Sequence, residues 1–337
     1  HTSTSGEAVP GTFAESREVN AILAETMRDG RGLFQVVPAG LIGEDPDGFR
    51  RELDFYRQVS LDTGATVLFT IAQNNVQPEL WRELFELADA ANAEGAKLVP
   101  MTINQPGGLL LSWDTFHPFL DKASFVEIAA LPLAERVEAL RDPARKKRIL
   151  EEPRQTPMIE HAATIILSSL GSTFLPGTDE LHEPDPGLAL GRAIAARGVD
   201  PLEGVYDALC DAAEQPGGPG FLCVFMGKYA DWQLGAVQEM LNHPGTLVGG
   251  GDGGAHVTVI CDASYPTYML EHWVRDRRRG ERLPLEQAIR MLTSDPADLF
   301  GMNDRGRVAV GLRADLNVID LDRIALATPR VEHDLPS

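Results

Sequence analysis

Residues 249–256 read GGGDGGAH. One carboxylate, Asp252, stands among five glycines, and His256 follows four residues later. The apolar run just before it, Thr246-Leu247-Val248, predicts a buried strand. Asp252 therefore falls where a strand gives way to a loop. Glycine there permits unusual backbone angles and close approach of a ligand. A carboxylate in a partly desolvated loop of this kind suits a general base, or a ligand to a hard or borderline metal ion. In a β/α barrel, acids at the C-terminal ends of strands are where catalysis happens. His256 is placed to orient Asp252, to hold a transition-state oxygen or to ligate metal. The plainer alternative is a tight turn whose Asp bonds its own backbone, with His256 a structural residue.

Other chemistry is poorly served. No HxH, HExxH or His/Cys pair occurs in the 337 residues, so this chain by itself lacks an ordinary complete zinc site. His117, His161, His182 and His333 have no partner at ligand spacing. His243, before Pro244, suits a cap at a helix C-terminus. There is no GxSxG for a nucleophilic serine, no GxGxxG after a strand and no P-loop.

Elements must position Asp252. A helix is predicted over 16–27, a strand at GLFQVVP (32–38) and a helix over 50–61. A second strand follows in 63–73, then a helix with Leu80, Leu84, Leu87 and Ala91 on one face, then a strand at KLVPMTIN (97–104). This alternation implies a parallel sheet covered by helices. Residues 105–185 are proline-rich with short helical patches, and read as an insertion associated with the sheet. FLCVFMG (221–227) is a fourth strand, and 233–242 a helix. Two short helices follow, broken at Asp295-Pro296. Val308–Val310 and Leu316–Ile319 read as strands beyond a glycine turn, the edge of a separate small β domain. The runs Arg145–Arg148 and Arg275–Arg279 read as solvated surface.

A formal net charge of −20 argues against nucleic acid or anionic membrane as partners. No run of 18 apolar residues and no signal peptide is visible. The three cysteines, Cys210, Cys223 and Cys261, form no CxxC pair and no disulfide framework, which fits a cytoplasmic protein. The expected partner is a small molecule, with homo-oligomerisation left open.

Three stretches together resemble one family. They are HTSTSGEAVPGTFAE (1–15), GGGDGGAHV (249–257) and the ending Thr293, Pro296, Ala297, Gly301, Arg305, Gly306, Gly311, Ala314, Asp315, Leu316 and Asp320. The pattern is similar to that of the metal-dependent amidohydrolases, in the N-acyl-D-amino-acid deacylase branch. The resemblance implies an α/β fold: a TIM-like (β/α) barrel over 1–302, and a return into a small β-sandwich domain over 303–337. It implies cleavage of a C–N amide bond by metal-activated water. Asp252 would be the general base and a metal ligand, with His256 near the substrate. It also places the first-strand ligands upstream of His1, so the chain looks like the later part of a longer protein. Where the family has mid-barrel histidines, this chain has Gln35, Gln73, Asn74 and Asn75. The expectation is then one zinc ion, and a pocket lined by Gln73, Asn74, Gly253 and Tyr265. Two alternatives stay open: a metal-free barrel acting as a binding or assembly subunit, and a hydrolase of cyclic amides or esters.

Overall fold

The computed structural model describes residues 16–26, 32–41, 43, 45, 47–175, 183–215, 220–253, 259–260 and 262–330. Strands β1 (Leu33–Val36), β2 (Thr66–Thr70) and β3 (Leu98–Thr102) alternate with the helices Gly48–Thr63 and Leu80–Ala93. The first of these helices stops at Gly64, whose φ of 72° provides the left-handed cap, with its N–H bonded to the Ser60 carbonyl. Ser60 then ties helix to strand: its hydroxyl donates to the Ala65 carbonyl at 2.8 Å and accepts from the Lys97 N–H at 2.8 Å. The second helix buries Leu80, Leu84, Ala88 and Ala91, while Leu87, expected on the same face, points outward. Val67 and Phe69 of β2, Ile71 just beyond it and Leu98 of β3 meet both helices in one core.

The sheet runs β1-β2-β3-β7, all parallel, with β7 (Leu247–Val248) beside β3 in the register Met101↔Leu247. Parallel neighbours align their C-terminal ends, so the residues after β2, β3 and β7 share one rim.

Between β3 and β7 the chain builds a second sheet. Strands β4 (Gly107–Leu111), β5 (Thr173–Phe174) and β6 (Leu222–Gly227) pair antiparallel in the order β4-β6-β5. This corrects the expectation for FLCVFMG. The run is a strand, but not one of the parallel sheet. A fully apolar run reports burial on both faces and does not say which sheet supplies the neighbours. Gly108 lets β4 and β6 close up, since a Cβ there would lie 2.1 Å from the Val224 carbonyl oxygen. The second sheet thus reaches Gly227, beyond the stretch that the sequence marks as inserted. Trp113, Phe119, Phe125, Leu140, Tyr206 and Leu222 form its core. The basic run is only half solvated. Arg145 reaches the Ser124 carbonyl at 2.6 Å, and Lys146 bridges Glu203 and Asp207 at 2.8 and 2.7 Å.

After β7 come the helix Tyr265–Tyr268, a π-helix Met269–Asp276, and the helices Leu285–Leu292 and Ser294–Leu299. The break between the last two falls at Thr293, φ −132° and ψ −78°, two residues before the expected site. Pro296 sits in the first turn of the second helix, where its missing N–H costs no bond. Gly306, φ 85°, packs on that helix, and a Cβ there would lie 2.6 Å from the Ala297 Cβ. No strand forms among residues 303–330. Val308 is 87% exposed, and Val310 and Val318 fully so. An alternating apolar pattern becomes a strand only against a partner ladder and a face to bury, and the described residues offer this stretch neither. Among the described residues no helix is long and apolar enough to cross a membrane.

Candidate functional site

The rim formed by the C-terminal ends of the parallel strands gathers Gln73 after β2, Asn104 and Gln105 after β3, and Asp252 after β7. The glycines before Asp252 are there for contact. A Cβ on Gly249 would lie 2.8 Å from the Met101 sulfur, and one on Gly251 would lie 2.7 Å from the Tyr265 ring. The loop therefore lies flat between the end of β3 and Tyr265. Asp252 follows with φ 44°. That is a left-handed conformation which Asp tolerates better than most side chains. Its carboxylate is exposed, not desolvated as the sequence suggested. Gly253 is exposed beside it. Tyr265 is half-buried, and its carbonyl accepts from the Asn104 side chain at 3.0 Å. His256 lies outside the described residues.

Gln73 and Asn74 are buried, and the scaffold uses their side chains. The Gln73 amide donates to Asp231 at 2.6 Å and accepts from the Ala230 N–H at 3.1 Å. Asn74 Oδ1 accepts from the N–H groups of Val76 and Gln77 at 3.0 and 2.7 Å. Both side chains, expected to line the pocket, also brace the loops around the site.

Sequence reasoning missed Lys228 and Asp262. Lys228 follows β6 directly, with φ 66°. Burial pushes its ammonium down to about 8, against the opposing pull of Asp262 and Asp252. Burial also raises the Asp262 carboxyl. Lys228 and a 2.8 Å bond from Gln105 pull it the other way, and the net shift is upward. The one sequence signal was a lysine abutting a wholly apolar strand. Asp262 carried none.

This donor set does not by itself fit a metal ion. The Gln73 and Asn74 side-chain oxygens are taken, Lys228 brings positive charge, and no group of three or more His, Cys, Asp or Glu among the described residues can hold one. His243 caps the helix Gly235–Asn242 as expected, with its ring against Phe85 and Nε2 at 3.1 Å from Asp89. A cavity of about 530 Å³ opens beside His243, Thr246 and Arg290, at the opposite end of β7 from Asp252.

The second arginine run is surface only in part, with Arg278 exposed and Arg277 buried. Arg277 is 2% exposed, its guanidinium 3.4 Å from Glu183 and 4.3 Å above the Trp273 ring. Glu183 also meets His272 at 3.2 Å and accepts the Leu234 N–H at 2.7 Å.

The sequence pattern of the amidohydrolase family matches residues 43–337, and the chain belongs to that family. Membership makes the four-stranded parallel sheet part of a TIM-like barrel. The chain is 40% identical over 78 residues to an N-acyl-D-glutamate deacylase of Alcaligenes xylosoxydans xylosoxydans, a match covering 20% of this chain and 15% of that protein. Two solved structures resemble it at 17% identity over 91% of this chain. One is a D-aminoacylase described as defining a novel subset of amidohydrolases, at a TM-score of 0.48. The other is an N-acyl-D-glutamate deacylase from Bordetella bronchiseptica, complexed with zinc and a phosphonate mimic of the tetrahedral intermediate, at 0.46. The chain spans 50% of the length of each.

Proposed function

We propose that this protein hydrolyses the C–N amide bond of a small N-acyl compound, of the N-acyl-D-amino-acid class, with Asp252 as general base. The observation that carries this is the placement of Asp252: a solvent-reachable carboxylate at the rim of the parallel sheet, in a loop pressed flat by glycines. Water attacks the carbonyl carbon and gives its proton to Asp252, and the carbonyl oxygen takes the electron pair. When the C=O re-forms, the C–N bond breaks and the nitrogen receives the proton from Asp252. The products are a carboxylic acid and an amine. Tyr265 and Gly253 wall the substrate side, and His256, four residues after Asp252 in sequence, is proposed to act near the substrate. Zinc stays in the proposal as an ion held by Asp252 with donors outside the described residues, and no step is assigned to it. Residues 303–337 are proposed to enter a small β-sandwich.

A second reading, a metal-free barrel that binds without turnover, is favoured by the commitment of Gln73 and Asn74 to structure. The test is amine release from a panel of N-acyl-D-amino acids, with elemental analysis of the same samples. The parent should turn over at least one compound, and Asp252→Asn should lower kcat by about 10²–10⁴-fold. About one equivalent of zinc, weakened in the variant, would support the metal part. A parent inert to the whole panel sinks the hydrolase reading in favour of the second.

A further inference from the structure

Lys228 is 6% exposed. Its backbone is pinned in the left-handed region, φ 66°, by an N–H bond of 2.7 Å to the Gln73 carbonyl. The side chain runs beside Gly107, where a Cβ would lie 3.7 Å from Nζ. Among the described residues no hydrogen bond and no ion pair within 4 Å holds the ammonium. Asp262 and Asp252 act on it only through space.

This arrangement is costly. A buried charge without a partner costs several kcal/mol, and a strained non-glycine backbone costs about 1–3 kcal/mol more. Replacing Lys228 by an apolar residue would remove the first cost, so the ammonium is not there for stability. Its N–H bond to the Gln73 carbonyl and its place beside Gly107 set Lys228 at the same rim as Asp252, whose charge acts on it, and a cation and a carboxylate at one rim suit a group with an acceptor at one end and an N–H donor at the other. An amide is such a group.

We propose that Lys228 is a catalytic residue of this site, donating to the scissile carbonyl oxygen and holding the oxyanion as it forms, while Asp252 carries the proton. The inference rests on the amide-hydrolase reading above. As water adds to the carbonyl carbon, the C=O electron pair moves onto oxygen beside the ammonium. When the C–N bond breaks, the pair returns and Lys228 keeps its proton throughout.

A group that holds the oxyanion must bind the tetrahedral state more tightly than the planar amide. The experiment therefore compares two ligands by calorimetry on the full chain: N-acetyl-D-glutamate and its phosphonate isostere, with kcat and KM measured in parallel. Lys228→Met should weaken the phosphonate about 10²–10³-fold and the amide by less than about threefold, and lower kcat with little change in KM. Lys228→Arg should recover part of the loss. The Met variant should unfold at or above the parent's temperature, which separates a lost role from a lost fold. Equal weakening of both ligands, as from a mere anchor for a charged group, overturns the inference, and so does no weakening of either. If the parent hydrolyses its substrates and Lys228→Met does so equally well, the Lys228 assignment falls alone. If phosphonate binding depends on Lys228 but no N-acyl compound is hydrolysed, the hydrolase reading falls and the oxyanion site stands. A parent that binds neither ligand removes both.

Discussion

Arg277 and Lys228 are both buried cations, and the protein treats them in opposite ways. Arg277 lies against Glu183, donates to Gln238 at 2.7 Å and to the Glu281 carbonyl at 2.8 Å, and covers Trp273. Lys228 has only distant carboxylates. Guanidinium is planar with five donors, so it satisfies itself in a closed network. An ammonium left alone beside a rim is poised for something that arrives. The difference separates a charge that holds the molecule together from one the molecule tolerates. Sequence alone ranked neither: Arg277 was read as surface and Lys228 was passed over.

The contrast breaks most visibly at Arg277. Arg277→Met strands Glu183 without its guanidinium, and should cost about 3–5 kcal/mol of unfolding free energy in a urea titration. A cost below about 1 kcal/mol would mean that the network is not structural.

pH sharpens it next, because the two regions gain stability with rising pH in separate windows, one acid and one alkaline. Burial of Glu183 opposes ionisation, but His272, the Leu234 N–H and Arg277 outweigh it and hold the carboxyl below its ordinary value. Its contribution is present above the unfolded value of about 4.3 and is lost as pH falls through the lowered folded value. Lys228 has the same sign of slope in an alkaline window. From its folded value of about 8 up to an unfolded value of about 10.4, the unfolded chain binds more protons, so this group adds stability as pH rises. Unfolding curves from pH 3 to 10.5 should show the acid loss in parent and Lys228→Met alike, and the alkaline gain in the parent only.

The smallest effect belongs to charge that is merely exposed. Lys147, 3.9 Å from Glu151 on the solvent side of its helix, should change stability by no more than about 0.5 kcal/mol when replaced by alanine. A larger loss would show that even the solvated half of that basic run is tied down.

Much of the fold was legible because local rules carried it. Leu80, Leu84 and Ala91 at helical spacing, Gly64 after the first long helix, and apolar runs bounded by turns all act over a few residues. The destination of FLCVFMG was not legible, because an apolar run does not name its partner strand. The helix break moved from Pro296 to Thr293 because proline is acceptable within a first turn. Val308 and Val318 show the converse: an alternating pattern with no ladder to join stays exposed and outside any strand. At the site, Asp252 was legible from its glycines. The glycines' own purpose, contact with Met101 and Tyr265, was not, since both partners lie far away in sequence.

What the sequence determines by itself is the family, the parallel α/β alternation and the position of Asp252 at a strand end, since each rests on residue types at short, fixed spacing. The tertiary structure alone decided that the Gln73 and Asn74 side chains bond the surrounding loops, that Arg277 is buried in a network, and that Lys228 and Asp262 stand near Asp252. Those outcomes depend on which distant segments exclude water from which charges, and burial and pairing between residues such as 183 and 277 leave no local trace.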